Sequence, residues 1–327
     1  MNIKINLSAI VLSAVLAAGT ASAEGVVTVY TAAPQNFIDT LVPMYEEATG
    51  NSVEIIKAGS GELLNRLTAE SASPIADVIW SVDGAVVDFN PDLFTPFQSS
   101  HADAVVPDLA KSDLWTPFTA VVMVLVVNED ELGDLPVPAG WADLATPEYD
   151  DLISSARADK SGSAFIQFAT VLQAFGDEEA GWDVYKGMLG NFVLSDSSGA
   201  VPRFVNDGEL PIGITLEDAA LRYKEGGGPV QIVYPVEGTA LAPDAMALVN
   251  GAPNAENGQG FIDFILSEEA QKVVADLGRR PVREDVASND LLVPLSEIPA
   301  IDYDFGWAAE NRQLLVDAWG EVVLDVQ

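Results

Sequence analysis

The sequence predicts an α/β protein of two lobes, each a central β-sheet flanked by helices, facing each other across a cleft. Strand-length apolar runs alternate with helix-length amphipathic runs, the pattern of layered α/β domains. About 300 residues remain once a leader is set aside, more than one compact core usually organises. A strand, a short Gly/Ser/Thr turn and a helix recur along the chain, and such turns converge only when two sheets face each other.

The leader is read over residues 1–23: Lys4 and the amino terminus, the apolar run "LSAIVLSAVLAAG", and the small residues "ASA" before Glu24. This is the grammar of an export signal, with cleavage expected after Ala23 and a periplasmic address. Its apolar run is short for a membrane span, and nothing later is long and apolar enough for one. With 50 acidic residues against 15 basic, the formal net charge is −35. Such a surface repels duplex nucleic acid and anionic membrane, so neither is a partner. The acids are scattered ("YEEATG", "FGDEEAG", "LSEEA"), as on a solvated acidic surface rather than in a tail. The chain has no cysteine and one histidine, which removes disulfides, thiol chemistry and cysteine metal sites. No cofactor is expected.

Strands are expected at 26–32, 52–58, 76–80, 120–128, 192–195, 212–216, 231–235 and 245–250. In 34–49, Phe37, Ile38, Leu41, Val42 and Tyr45 recur at helical spacing, with Gly50 as the stop and Pro43 as an expected kink or late start. Leu63, Leu64 and Leu67 mark a helix over 61–72, and Phe165, Phe168, Ala169, Leu172 and Phe175 another over 163–175. Residues 259–277 read as one helix through Phe261, Phe264, Ile265 and Val273, and 130–147 as a Pro/Gly-rich loop.

In open α/β sheets ligands sit beyond the carboxyl ends of strands, where helix N-termini offer unpaired N–H groups and partial positive charge. Tyr30 and Thr31 end the first strand, "GSGEL" with Ser60 and Gly61 follows the second, and Ser81 and Asp83 follow Trp80. "DKSGSAF" supplies Ser161 and Ser163, "SDSSGAV" supplies Ser197, Ser198 and Gly199, and "GITLED" supplies Thr215, Glu217 and Asp218. Each turn alone reads first as a helix cap; their repetition is the signal. "GSG" lacks the spacing and lysine of a nucleotide loop.

These stretches, with "VVTVYTAAPQNFIDTLVPMYEEATG", "VYPVEGTALAPDAMALVNGAPNAENGQGFIDFILSEEAQ" and "GRRPVREDV", resemble the periplasmic substrate-binding proteins of ABC transporters over nearly the whole mature chain. The resemblance is to the branch of ferric-ion binders and binders of phosphorylated or phosphonate compounds, with the type II periplasmic binding fold. It implies two hinge strands, a ligand buried between lobes, a monomer, and an inner-membrane ABC permease as partner. Lobe 1 is expected from 24–118 plus 240–295, and lobe 2 from 119–239 plus 296–327. The "YPVEGTA" stretch is expected at the hinge, with Tyr234, Glu237 and Thr239 towards the ligand, and the arginines of "GRRPVREDV" are expected to brace a lobe.

Ferric binders of that branch carry two adjacent tyrosines where this chain has "LEDAALRY", and no adjacent Tyr pair exists in the chain. The hydroxyl-rich turns suit a tetrahedral oxyanion instead. Lys160 and Arg203 are nearby in sequence but read as surface residues. Glu217 and Asp218 would repel a plain phosphate and attract an amine or a sugar hydroxyl, which points to an organophosphorus ligand like 2-aminoethylphosphonate. A sugar phosphate, or ferric ion held by carboxylates, is the alternative. A phosphate-ester hydrolase would need a metal cluster or an activated nucleophile, and no "HExxH" or "GxSxG" is present; no enzyme is expected.

Overall fold

The first strand, β1 (Val26–Thr31), is β-branched almost throughout and buried from Val27 onward, as a parallel strand covered on both faces must be. In this computed structural model residues 25–326 are described; the export signal read over 1–23 and its cleavage point lie outside them. Helix α1 (Gln35–Thr49) buries the five predicted apolar residues. It stops at Gly50, whose φ of 74° is left-handed and whose N–H returns to the Glu46 carbonyl. Pro43 sits inside the helix without ending it.

The chain continues through β2 (Ser52–Lys57), α2 (Ser60–Glu70), β3 (Val78–Asp83), α3 (Gly84–Phe89) and β4 (Phe94–Thr95), then the long strand β5 (Thr116–Asn128). Next come α4 (Glu129–Leu132), α5 (Trp141–Leu144), β6 (Ile153–Ala156), α6 (Gly162–Ala174), α7 (Glu178–Gly190), β7 (Phe192–Ser195), α8 (Val201–Asn206), β8 (Ile212–Leu216), α9 (Glu217–Glu225) and β9 (Val230–Val233). The chain then returns through β10 (Leu241–Val249) and closes with α10 (Ala255–Ile265), α11 (Glu268–Asp276) and α12 (Phe305–Val326).

Strand order is β2-β1-β3-β10-β5-β8-β6-β7, with β4 on β10 and β9 on β5. β1 runs parallel to β2 and β3, whereas β10 runs antiparallel to both β3 and β5. The Thr116–Val122 part of β5 pairs with β10; its Met123–Asn128 part pairs with β8 and β9. One fully buried strand is therefore shared by two sheet halves. Trp80, Phe37, Phe118 and Phe261 interlock edge-to-face in the core of the first half. Helix α12 lies across both halves, packing on α3 and on α7, where Trp319 Nε1 donates to the Tyr185 hydroxyl at 3.1 Å.

Three expectations are corrected. The single helix over 259–277 is two, because Ser267 breaks the run and caps α11 through the Ala270 N–H at 3.2 Å. The loop over 130–147 holds the short helices α4 and α5, the latter burying Trp141 and Leu144. The strand expected to stop at Trp80 runs on to Asp83.

Candidate ligand cleft between the two sheet halves

Gly59, Ser60 and Gly61 open α2 in the first half, and Ser161, Gly162 and Ser163 open α6 in the second. The two openings touch. A methyl group at Gly61 would lie 2.8 Å from the Asp159 carbonyl oxygen, and one at Gly59 2.7 Å from that of Lys160. One at Gly162 would meet Ser60 Oγ at 3.0 Å and Asp83 Cβ at 3.1 Å. Only glycine permits this approach of backbone to backbone. Ser161 caps α6 by accepting from the Ala164 N–H at 3.3 Å, and its hydroxyl lies 3.0 Å from that of Ser163. Ser60 and Ser161 are buried, and Ser163 is half-buried.

The turn Ser195–Gly199 lies alongside this corner: the Arg157 N–H donates to the Ser195 carbonyl at 3.0 Å, and Lys160 Nζ bridges to Asp196 at 2.9 Å. Ser197 and Gly199 are exposed and Ser198 is half-exposed. Arg203 pairs with Asp207 and Glu209 on the surface.

From Gly162 the contact between the halves continues through buried charge. Asp83 caps α3 through the Ala85 N–H at 3.1 Å and takes Arg312 of α12 at 3.2 Å. That guanidinium also stacks 4.1 Å over Phe165 of α6. Across the sheet Asp83 pairs with Asp244, which accepts from Ser81 Oγ at 2.7 Å and Arg279 Nη1 at 3.0 Å. Ser81 has a φ of 59°, left-handed for a residue with a side chain, where the register of β10 slips between Ala245 and Met246. Burial pushes the carboxyls of Asp83 and Asp244 up to about 6, opposed by Arg312 and Arg279 respectively.

Arg279 reaches on to Asp218 at 3.1 Å, and Arg280 clasps Glu217 with two bonds of 2.8 Å. Tyr234 donates its hydroxyl to Glu217, and burial followed by this carboxylate raises its pKa. The first-turn carboxylates of α9 thus already hold arginines. Glu237 accepts from the N–H groups of Trp141 and Ala142, both at 2.9 Å, and so caps α5. Thr31 Oγ1 donates to the Trp80 carbonyl at 2.9 Å and accepts from the Ala33 N–H at 3.0 Å, fixing the turn into α1. The Tyr30 ring lies in the core, with its hydroxyl on Glu70 at 2.7 Å. Burial, then Glu70, pushes that phenol up to about 12. Thr215 is buried at the end of β8, and Thr239 bonds the Met123 carbonyl at 2.8 Å.

The structure therefore brings Ser60, Gly61, Asp83, Ser161 and Ser163 to one seam, with Ser81, Glu217, Asp218 and Tyr234 on an adjoining ionic floor. It does not bring Tyr30 or Glu237 to that seam. Arg279 and Arg280, expected to brace a lobe, do so by holding Asp218, Asp244 and Glu217, partners the sequence did not indicate, and Arg312 and Asp244 were passed over altogether. A signal was present: three of the 15 basic residues fall within 279–283.

The profile of the family described as bacterial extracellular solute-binding protein matches residues 73–306. This chain belongs to that family. The binding protein is 29% identical over 289 residues to a periplasmic protein of Salmonella typhimurium provisionally named for binding 2-aminoethylphosphonate, covering 84% of each chain. It is 26% identical over 298 residues to the Fe(3+)-binding periplasmic protein of Serratia marcescens, covering 87% of each. Among solved structures it matches the periplasmic binding protein AfuA from Actinobacillus pleuropneumoniae, with fructose-6-phosphate bound, at a TM-score of 0.87 and 25% identity, over 91% of this chain and 98% of that one. The two-lobe α/β fold expected from sequence is the fold of these neighbours. Among the described residues, no helix of the binding protein is long and apolar enough to cross a membrane.

Proposed function

We propose that this protein closes two lobes on a small organophosphorus compound in the periplasm and delivers it to an ABC permease in the inner membrane. The observation that carries the reading is the seam where Ser60 and Gly61 of one half meet Asp159 to Ser163 of the other. Two helix N-termini and three hydroxyls surround one place, and such groups hold phosphoryl or phosphonyl oxygens without an arginine clamp. Because the donors come from both halves, a ligand there stabilises the closed arrangement over an open one, and binding needs no chemical step. A few such bonds suffice for micromolar affinity, about 8 kcal/mol.

The likeness to the Salmonella protein makes 2-aminoethylphosphonate the first ligand to test. A sugar phosphate is the second reading. It is favoured by the arginines that hold Glu217 and Asp218, since these carboxylates are no longer open to an amine. Ferric ion is disfavoured for the same reason: Arg280 occupies the oxygens that a metal would need.

The test is a thermal-shift panel of 2-aminoethylphosphonate, fructose 6-phosphate, inorganic phosphate, spermidine and Fe(III). A ligand that binds only the folded chain raises its melting temperature by mass action. A rise with one of the organophosphorus compounds, lost in the Ser60→Ala/Ser163→Ala double variant, supports the reading. A rise with Fe(III) or spermidine alone overturns it.

A further inference from the structure

Two cations, one from each sheet half, bond consecutive residues at the start of α1. Lys57 ends β2 in the first half, and its ammonium bonds Gln35 Oε1 at 3.2 Å. Arg222 lies on α9 in the second half, and its guanidinium reaches Asn36 Oδ1 at 3.4 Å. Gln35 and Asn36 are consecutive residues in the first turn of α1, a turn with no side-chain cap and no acidic residue. Both cations are thus held beside one uncapped helix N-terminus.

Arg157, Arg279, Arg280, Arg283 and Arg312 each have a carboxylate within 4 Å. Among the described residues Lys57 and Arg222 have no ion pair of that kind, nor have Lys111, Lys186 and Lys224; what sets the first two apart is that they come from different halves to consecutive residues of one helix. Asp39 is the carboxylate nearest in influence, acting on Lys57 from the same helix while its side chain accepts from Gln35 at 2.9 Å. Partial burial, with Arg222 adding to it against Asp39, lowers the Lys57 pKa. Two cations drawn together as the halves close repel each other, and an oxyanion between them turns that contact into an attractive one.

We propose that Lys57 and Arg222 form a second anion subsite, one cation from each half, which takes an acidic group on the organic part of the ligand. The inference rests on the organophosphorus reading for the first group, held at the serine seam. The ligand class is then a phosphonate or phosphate ester bearing a second oxyanion, either a carboxylate or another phosphoryl group. The buried arginine clasps on Glu217 and Asp218 fit this, because no free carboxylate remains there for a cationic end.

The test is calorimetric titration of the full-length mature protein at low salt and at about 0.15 M salt, where screening is strong. The probes are 2-aminoethylphosphonate against 3-phosphonopropionate, and fructose 6-phosphate against fructose 1,6-bisphosphate. Glutarate serves as a phosphorus-free dianion. The second-acid member of at least one pair is expected to bind about tenfold tighter. That preference should shrink to under about twofold in Lys57→Gln and in Arg222→Gln, with the affinity for its partner unchanged. Neither side chain belongs to a buried core, Lys57 being largely and Arg222 partly open to solvent, so both variants should keep the parent melting temperature. Equal affinity within both pairs, or a preference that survives in both variants, overturns the subsite. Glutarate binding that depends on Lys57 and Arg222, with no phosphorus compound bound, keeps the subsite and overturns the organophosphorus reading. Binding of none of the five probes overturns both.

Discussion

Glu217 is 3% exposed and both its oxygens are taken by Arg280, with Tyr234 on one of them as well. Neutralising it leaves a buried guanidinium without its counter-charge. Glu217→Gln should therefore destabilise the fold by about 3–5 kcal/mol in urea melts, against about 1 kcal/mol for Tyr234→Phe. Near-equal losses would mean that the ion pair is weakly coupled. Asp83 and Asp244 make the stability of the fold depend on pH. Their carboxyls are raised to about 6, above the unfolded value, so the folded chain binds these protons more tightly. The stability they contribute is fully present below the unfolded value and is lost as pH rises through about 6. Relative to Asp244→Asn, the parent should lose stability between about pH 4 and pH 6, read from urea midpoints; parallel curves would contradict this. None of this pairing was legible in sequence. Glu217 and Asp218 stood out as carboxylates at a strand end, but the arginines that hold them lie some 60 residues away, across a contact that only the folded sheet creates.

At the scale of elements, local pattern was a good guide wherever one face alone was apolar. Helix α1 declared itself through Phe37, Ile38, Leu41, Val42 and Tyr45, and Gly50 ended it as expected. The pattern misled where one apolar stripe ran on through two helices, since the α10 and α11 stripes continue past Ser267. Ser267→Ala should cost about 1 kcal/mol through loss of the α11 cap, measured by thermal melting. The serine-bearing turns were legible as a repeated pattern, but the glycine contact between them was not, because it depends on how two helix openings meet. Gly162→Ala places a methyl group against Ser60 and Asp83. It should weaken binding of the phosphorus ligand at least about tenfold while shifting the melting temperature by only a few degrees, since the crowding falls between halves rather than inside one. A variant that binds normally would show that the seam opens without cost.

For the whole molecule, composition and alternation were enough to name an α/β architecture. They could not show that β5 belongs to both halves or that α12 ties them together. Both are matters of pairing between distant segments, which leave no local mark. The Asp83–Asp244 pairing has a consequence for how the chain assembles. When β1, β2 and β3 have left the ribosome, the exposed flank of β3 has no neighbour until β10 is made, and in the meantime the chain must build the whole of the other half. The half begun first is finished last. Non-local closure of this kind is slow, and a fragment ending at residue 118 should remain aggregation-prone however long it is given, for want of a strand encoded more than 120 residues downstream.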